Sequence, residues 1–577
     1  MKKKSVFSAF KSFVVFLLIA ALVIAFSACK NNVETGGGSS AGSSMGSQAG
    51  SSEPQTGGSD SAGADVAGGV SVRRDLFGAQ IKLTAEPIKV QNGIAALTID
   101  YELIGSAGDA YSSIGVMLYQ SLARSALDLG PTKINLVDLP NRLFYFQLKE
   151  AGQSAVNDAS AFKMIDGATY ARNSIDDKNP KTASVSLFEA PDADKVAVFI
   201  GNFGLIEDVP VVEADNAEEI AVAAPKGYDT DIKGNYTAPL RTVQIAYSDQ
   251  IVTKEENKTV TIAVGSDVLF DTDKYDLSPT AQSALDNAIA QVKASAPQGE
   301  IQVVGHTDDV GETGYNQTLS EKRAQTVAQA LTDALGADYK ITPSGVGETQ
   351  PAVEGTSSDA RAANRRVEII FNGQLMSQTQ ETQSAPAGVI PETTAPTASG
   401  AGQWVEYQTL NGLIGADLAK SQDPAKFDTY SISVDKIVRT QGCLVATLNL
   451  KVAKLGSDSK YVYMLRMLDS NQGGKDLQKR GYSAIGQMTG AYEVALLTGE
   501  GRVYPLDYEV PPARLDALTA GASMLSDTNI FNPYGGKVEG LGKEAHITIV
   551  WPDTGQDTVA IELPGAFRIT DIPVSGN

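Results

Sequence analysis

A carboxylate pair and a guanidinium lie close together in one stretch of this chain. Asp308 and Asp309 follow an apolar run, and Arg323 comes fifteen residues beyond Asp308, within "GHTDDVGETGYNQTLSEKRAQTV". An arginine offers a planar fork of donors that matches a carboxylate. An aspartate offers acceptors to an ammonium. Facing one pocket, the two suit a zwitterion, with one carboxylate and one amine on the same carbon. Asp308 is expected just past a strand end. Arg323 is expected in the first turns of the next helix, capped by Asn316 or Ser320, where free N–H groups and the helix dipole add positive potential.

Other chemistry finds little support. The chain has two His and two Cys, and no HExxH, CxxC, P-loop or nucleophile-elbow pattern. No metal, no cofactor and no enzymatic activity are expected. His306 reads as a strand-end residue. The loop "DTDKYDLS" lacks the glycine and closing glutamate of a calcium loop. The formal charge is −21, from 68 acids against 47 bases, which argues against nucleic-acid partners and against a polybasic grip on anionic lipid.

The elements that must position the pair lie in residues 258–373. "TVTIAV" reads as a strand, Ser278-Pro279 as a helix start, and Leu285, Ile289 and Val292 as one helix face. "EIQVVG" is a second strand. Leu319, Ala324, Val327, Leu331 and Leu335 mark a second helix that Gly336 ends. "YKITPSGVG" and "RRVEIIF" give two more strands. The order βαβαββ predicts an α+β sandwich with its helices on one face.

"FDTDKYDLSP", "GHTDDVGETGYNQTLSEKRAQTV", "GVGETQP" and "ANRRVEI" together resemble the OmpA-like peptidoglycan-binding family, which includes Pal-type lipoproteins. The resemblance covers the middle piece only. It implies non-covalent binding to the meso-diaminopimelate of the peptidoglycan stem peptide. The family's acid then falls on Asp308 and its arginine on Arg323. Thr307, Asn316 and Leu319 fall on positions that line the same pocket. Arg365 and Arg366 belong to the closing motif and are expected to support the fold more than the ligand.

Residues 1–29 read as a signal peptide: Lys2, Lys3 and Lys4, then an unbroken apolar run Val14–Phe26, then Ser27-Ala28-Cys29. The end resembles the lipobox of bacterial lipoproteins, with Phe26 where leucine is usual. That implies a cut before Cys29 and lipid on it, and two acyl chains suffice for stable anchoring. Lys30, rather than aspartate, next to the lipid implies the outer membrane, facing the periplasm, in a two-membrane host. The extracytoplasmic face of the cell membrane is the other possibility.

Residues 30–69 are Gly/Ser-rich and read as a flexible tether spanning about 35 Å r.m.s.. Residues 374–403 are rich in Thr, Pro and Ala and read as a second linker. Residues 70–225 and 404–577 show strand-like alternation, with 226–257 as a connector. The two pieces look duplicated and are expected as immunoglobulin-like sandwiches. "QNGIAALTIDYEL" parallels "TQGCLVATLNLKV", and Ile206-Glu-Asp-Val-Pro-Val parallels Ile569-Thr-Asp-Ile-Pro-Val. Cys443 reads as a small core residue.

The chain is thus expected to be a lipoprotein tethering membrane to wall. The alternative is a surface adhesin or ligand-binding protein whose β-pieces engage a protein or glycan while the middle domain only anchors it. A motor stator would need an acid in its apolar segment, and Val14–Phe26 has none. A wall hydrolase would need catalytic residues that no motif supplies.

Overall fold

The computed structural model describes residues 63–64, 68–76, 79–104, 134–148, 162–164, 181–200, 203–216, 233–296, 298–375, 390–409, 423–457, 491, 493–509, 522–524 and 544–576. The signal segment with Cys29, and most of the tether, lie outside the described residues.

The middle piece begins at strand β1 (Thr259–Gly265) and continues through the short helix α1 (Ser266–Leu269), α2 (Ala281–Ser295) and β2 (Gly299–Gly305). It ends with α3 (Thr313–Leu335), β3 (Tyr339–Gly345), α4 (Ser358–Asn364) and β4 (Arg366–Asn372). The sheet order is β3-β2-β4-β1, with β2 and β3 parallel and the other pairs antiparallel. Period-two alternation buries Val260, Ile262 and Val264 on β1 and Val367, Ile369 and Phe371 on β4. Helical spacing brings Ala284, Leu285, Ala288 and Val292 of α2, and Ala324, Val327, Leu331 and Leu335 of α3, onto that face.

Two helix starts differ from expectation. Helix α2 begins at Ala281 with Thr280 in the capping position, and the Ser278 hydroxyl instead donates to the Val268 carbonyl at 2.8 Å. Helix α3 begins at Thr313, ahead of both expected caps, with Glu312 in the capping position. Arg323 therefore sits well past the first turn, and the helix dipole falls off before reaching it. Its positive potential is its own.

Helix α3 lies tightly on the β2–β3 pair. A Cβ on Gly305 would overlap the Ser320 carbonyl oxygen, and one on Gly345 would overlap the Glu321 backbone nitrogen. The Ser320 hydroxyl accepts the Gly347 N–H at 3.0 Å. The close seat fixes the height of the α3 side chains above the strand ends.

The stretch expected as a connector is built into sheets. Thr237–Pro239 pairs with Leu143–Tyr145, and Thr242–Ala246 pairs with Gly501–Val503. Ile251–Glu256 then pairs with both Thr242–Ala246 and β1, through a tight turn with Asn257 and Lys258 at φ 51° and 62°. The middle sheet thereby continues into the C-terminal piece as one 15-stranded sheet. The expected linker is also partly structured: Thr397–Ser399 adds a parallel strand to Phe567–Ser575. Thr242–Ala246 does alternate, with Val243 and Ile245 buried, but such short strands are hard to tell from a connector by pattern alone.

The two outer pieces are strand-rich and repeat the same pairings. Ile88 pairs in parallel with Val211, as Ile437 does with Val574. Ala95 faces Phe188, as Leu444 faces Trp551. The hairpins shift register between Val196 and Val198 and again between Val559 and Ile561. Asp208 and Asp571 take left-handed φ of 57° and 54°.

The pieces are not separate beads. One core cluster joins Ile81, Leu97 and Ile206 to Ile432, Leu448 and Trp551. Phe144 stacks on Tyr508 at 4.0 Å between centroids. Arg142 donates to the Gly442 carbonyl at 3.1 Å, and a fully buried Asp507 holds Arg241 at 2.7 Å. The middle domain is thus inserted between two halves of a joint β-body.

Candidate functional site

The site is built where β2 ends, α3 lies across, and α4 runs into β4. Past Gly305, the backbone N–H of His306 bonds the Arg366 carbonyl at 2.9 Å and that of Thr307 bonds the Gly347 carbonyl at 2.9 Å. These two bonds carry the strand direction into the loop and present Asp308 at its rim.

Asp308 is paired, but not with Arg323. Its Oδ2 accepts from Arg365 Nη1 at 2.7 Å and its Oδ1 from the Val310 N–H at 3.2 Å. Arg365 grips Asp267 with Nε and Nη2 at 3.0 and 2.7 Å. The Asp267 bond, against the opposing effect of burial and reinforced by Asp308, raises the Arg365 pKa above its ordinary value. Asp309 takes Arg361 through both oxygens at 2.6 and 3.0 Å. The acid pair thus meets two arginines spaced one turn apart, Arg361 on α4 and Arg365 at its C-cap, with Ser357 capping the start of α4.

Arg323 is only 5% exposed. Its Nε donates to the Lys274 carbonyl at 2.9 Å, and its guanidinium sits 5.1 Å from the centre of the Phe270 ring. No carboxylate lies within ion-pair distance of it among the described residues. Burial lowers its pKa from the ordinary value, and Asp267 and Asp273 offset part of that. Arg365 pushes the same way as burial, so Arg323 and the Arg365–Asp308 pair feel each other across the site.

The other expected residues also gather here. Asn316, 2% exposed, donates to the Val310 carbonyl at 3.1 Å and more weakly to that of Asp308 at 3.4 Å, which ties α3 to the acid loop. A short bond to Glu348 Oε2 completes its amide. Thr307 is 5% exposed, and its hydroxyl has no partner among the described residues. A buried hydroxyl without a partner is uncommon in a folded protein. Leu319 is 8% exposed and supplies an apolar wall. Cys29 lies outside the described residues.

The sequence reading placed Arg365 as a support of the fold but did not foresee its grip on Asp308, nor the parts of Asp267, Arg361 and Glu348. The signal available was the four-residue spacing of Arg361 and Arg365 against two adjacent acids. A cavity of about 230 Å³ lies between the sheet and α4, lined by Lys254, Thr261, Ala263 and Glu368 from strands and by Asp359 and Ala363 from α4 among others, and includes neither Asp308 nor Arg323.

A mixed four-stranded sheet with helices on one face, and an acid–arginine cluster at its strand ends, defines an OmpA-like α+β domain. The OmpA family matches residues 269–365, so this segment is an OmpA family domain. Outer membrane porin F of Pseudomonas fluorescens is 38% identical over 113 residues, covering 20% of this chain and 34% of that protein. Outer membrane protein A of Citrobacter freundii is 40% identical over 128 residues, covering 20% of this chain and 54% of that protein. The chain therefore spans about half or less of these relatives. Among solved structures, the peptidoglycan-associated lipoprotein from Burkholderia pseudomallei is 31% identical and covers 18% of this chain and 86% of its own, at a TM-score of 0.16.

Proposed function

We propose that this chain is a non-catalytic envelope protein whose OmpA domain holds peptidoglycan without a covalent bond, by gripping the diaminopimelate of the stem peptide. The observation that carries this reading is Arg323: a buried guanidinium with one backbone partner and no carboxylate at ion-pair distance among the described residues. Burying an uncompensated charge is unfavourable. A ligand carboxylate would supply the missing partner in bidentate form. Asp308, held by Arg365 and the Val310 N–H, keeps acceptor capacity for the amine on the same carbon. Thr307 has an open hydroxyl beside it.

Two charge-assisted contacts contribute about 1.5–3 kcal/mol each, which by themselves support an affinity between about millimolar and tens of micromolar. Lipid on Cys29, in the outer membrane facing the periplasm, would make capture local and effectively bivalent. The two β-pieces are then duplicated immunoglobulin-like modules, each with an early strand paired in parallel with its last, and they serve as a spacer body.

The test is co-sedimentation of the chain with purified sacculi. Retention without release of wall fragments is expected, with retention lost for Arg323→Ala. Retention of that variant at the wild-type level defeats the assignment.

A further inference from the structure

Among the described residues, six large hydrophobic side chains are exposed, and four of them, Tyr275, Leu277, Val310 and Tyr315, stand on the two segments that frame this site. Exposed apolar groups scattered singly need no explanation, whereas a cluster rimmed by polar residues marks a binding surface. The two tyrosines are its largest members, 40% and 49% exposed.

Their placement ties them to the arginine. Tyr275 follows Lys274, whose carbonyl receives Arg323 Nε at 2.9 Å. Tyr315 donates its hydroxyl to Asp273 at 3.3 Å on the same loop. Lys322 lies 4.7 Å from the centre of the Tyr275 ring. Tyr315, Leu319 and Arg323 recur every four residues and share one face of α3. Tyr315 is displaced from Arg323 by about 12 Å along the helix axis. A few extended residues, at about 3.3–3.6 Å each, cover that interval.

The chemistry of the rim selects the occupant. Asp271, Asp273 and Asp276 are exposed on the loop that carries Tyr275, outnumbering the exposed Lys274 and Lys322 beside them. Carboxylates so placed repel anionic headgroups but accept from hydroxyls and from an acetamido N–H. Tyrosine offers an apolar face and a polar tip. A pyranose has the matching form, with C–H groups on its faces and donors at its edge.

We propose that Tyr275 and Tyr315 form a platform for an N-acetylated sugar ring of the glycan, so that the site reads stem and sugar together. This rests on the stem-peptide reading above and extends it along the ligand.

The test measures affinity of the full chain in detergent for two probes: a free diaminopimelate-containing tetrapeptide, and the same tetrapeptide on its N-acetylated disaccharide. The disaccharide form is expected to bind about two- to tenfold more tightly. Tyr275→Ala and Tyr315→Ala should each reduce that gain while leaving the free tetrapeptide unchanged. Tyr315→Phe keeps the ring and should keep the gain. Equal affinity for the two probes in the unaltered chain overturns the platform alone, as does equal weakening of both by the alanine variants. Binding of neither probe overturns the stem-peptide reading and the platform with it.

Discussion

Arg365 stands between two carboxylates, with Nη1 on Asp308 at 2.7 Å and its other edge on Asp267 at 2.7–3.0 Å. The half-buried acid just past the strand end is thus held by a guanidinium that is itself anchored. Holding a binding group in one geometry lowers the entropy lost when a ligand arrives. Arg365→Ala is expected to weaken sacculus binding by about tenfold or more, on the scale of one charge-assisted bond. Arg365→Lys should recover only part, because lysine cannot span both carboxylates. Titration against the diaminopimelate tetrapeptide checks both.

Arg323 should tolerate replacement poorly in binding and well in stability. Arg323→Lys keeps charge but loses the fork, and about a tenfold loss is expected, with Arg323→Ala larger still. Because the guanidinium has no ionic partner among the described residues, thermal unfolding should show no loss from a broken ion pair. A wall whose stem carries lysine in place of diaminopimelate should also be held weakly, since the carboxylate facing Arg323 is gone. Equal retention on both wall types counts against the zwitterion grip.

Glu368 gives the domain an acid limit. Burial alone would raise its pKa, but His306 and Arg366 outweigh burial and bring it from 4.5 to about 2. A folded-state pKa below the unfolded one stabilises the fold above the unfolded value. That contribution is complete above about pH 4.5 and is lost as pH falls toward 2. Glu368→Gln should flatten this part of the stability profile. Denaturant midpoints taken between pH 5 and pH 2 are the measurement.

The Arg241–Asp507 pair should be needed to keep the β-body whole. Both groups are buried, at 2.7 Å, and they join the strand segment before the OmpA domain to the C-terminal piece. Removing one partner leaves a buried charge, at about 3–5 kcal/mol. Arg241→Met should lower the midpoint of chemical unfolding strongly, and Arg241→Met with Asp507→Leu should restore much of it. A double variant no better than the single would argue that the joint surface, rather than the charge, sets stability.

Much of the middle domain was legible, because period-two and helical alternation directly report which face of each element is buried. Val260, Ile262 and Val264, or Val327 and Leu331, can be read off in this way. The start of α3 was not legible: Glu312 makes no side-chain capping bond, and Gly314 in the first turn disguises a helix. Asp308, Arg323 and Arg365 were found by motif, but the grip of Arg365 on Asp308 was not legible, since the two lie 57 positions apart in the chain. The joint core of the outer pieces was hidden for a further reason. Alternation shows that Trp551 or Phe144 is buried, but not which neighbour covers it.

The Gly373 N–H bonds the Lys258 carbonyl at 2.9 Å, so the chain enters and leaves the OmpA domain through adjacent points. A unit with both ends at one doorway behaves as a cassette: it can be lifted out or exchanged without stretching its host. Lys258 and Gly373 are accordingly the two residues at which an engineer would exchange this domain for another unit.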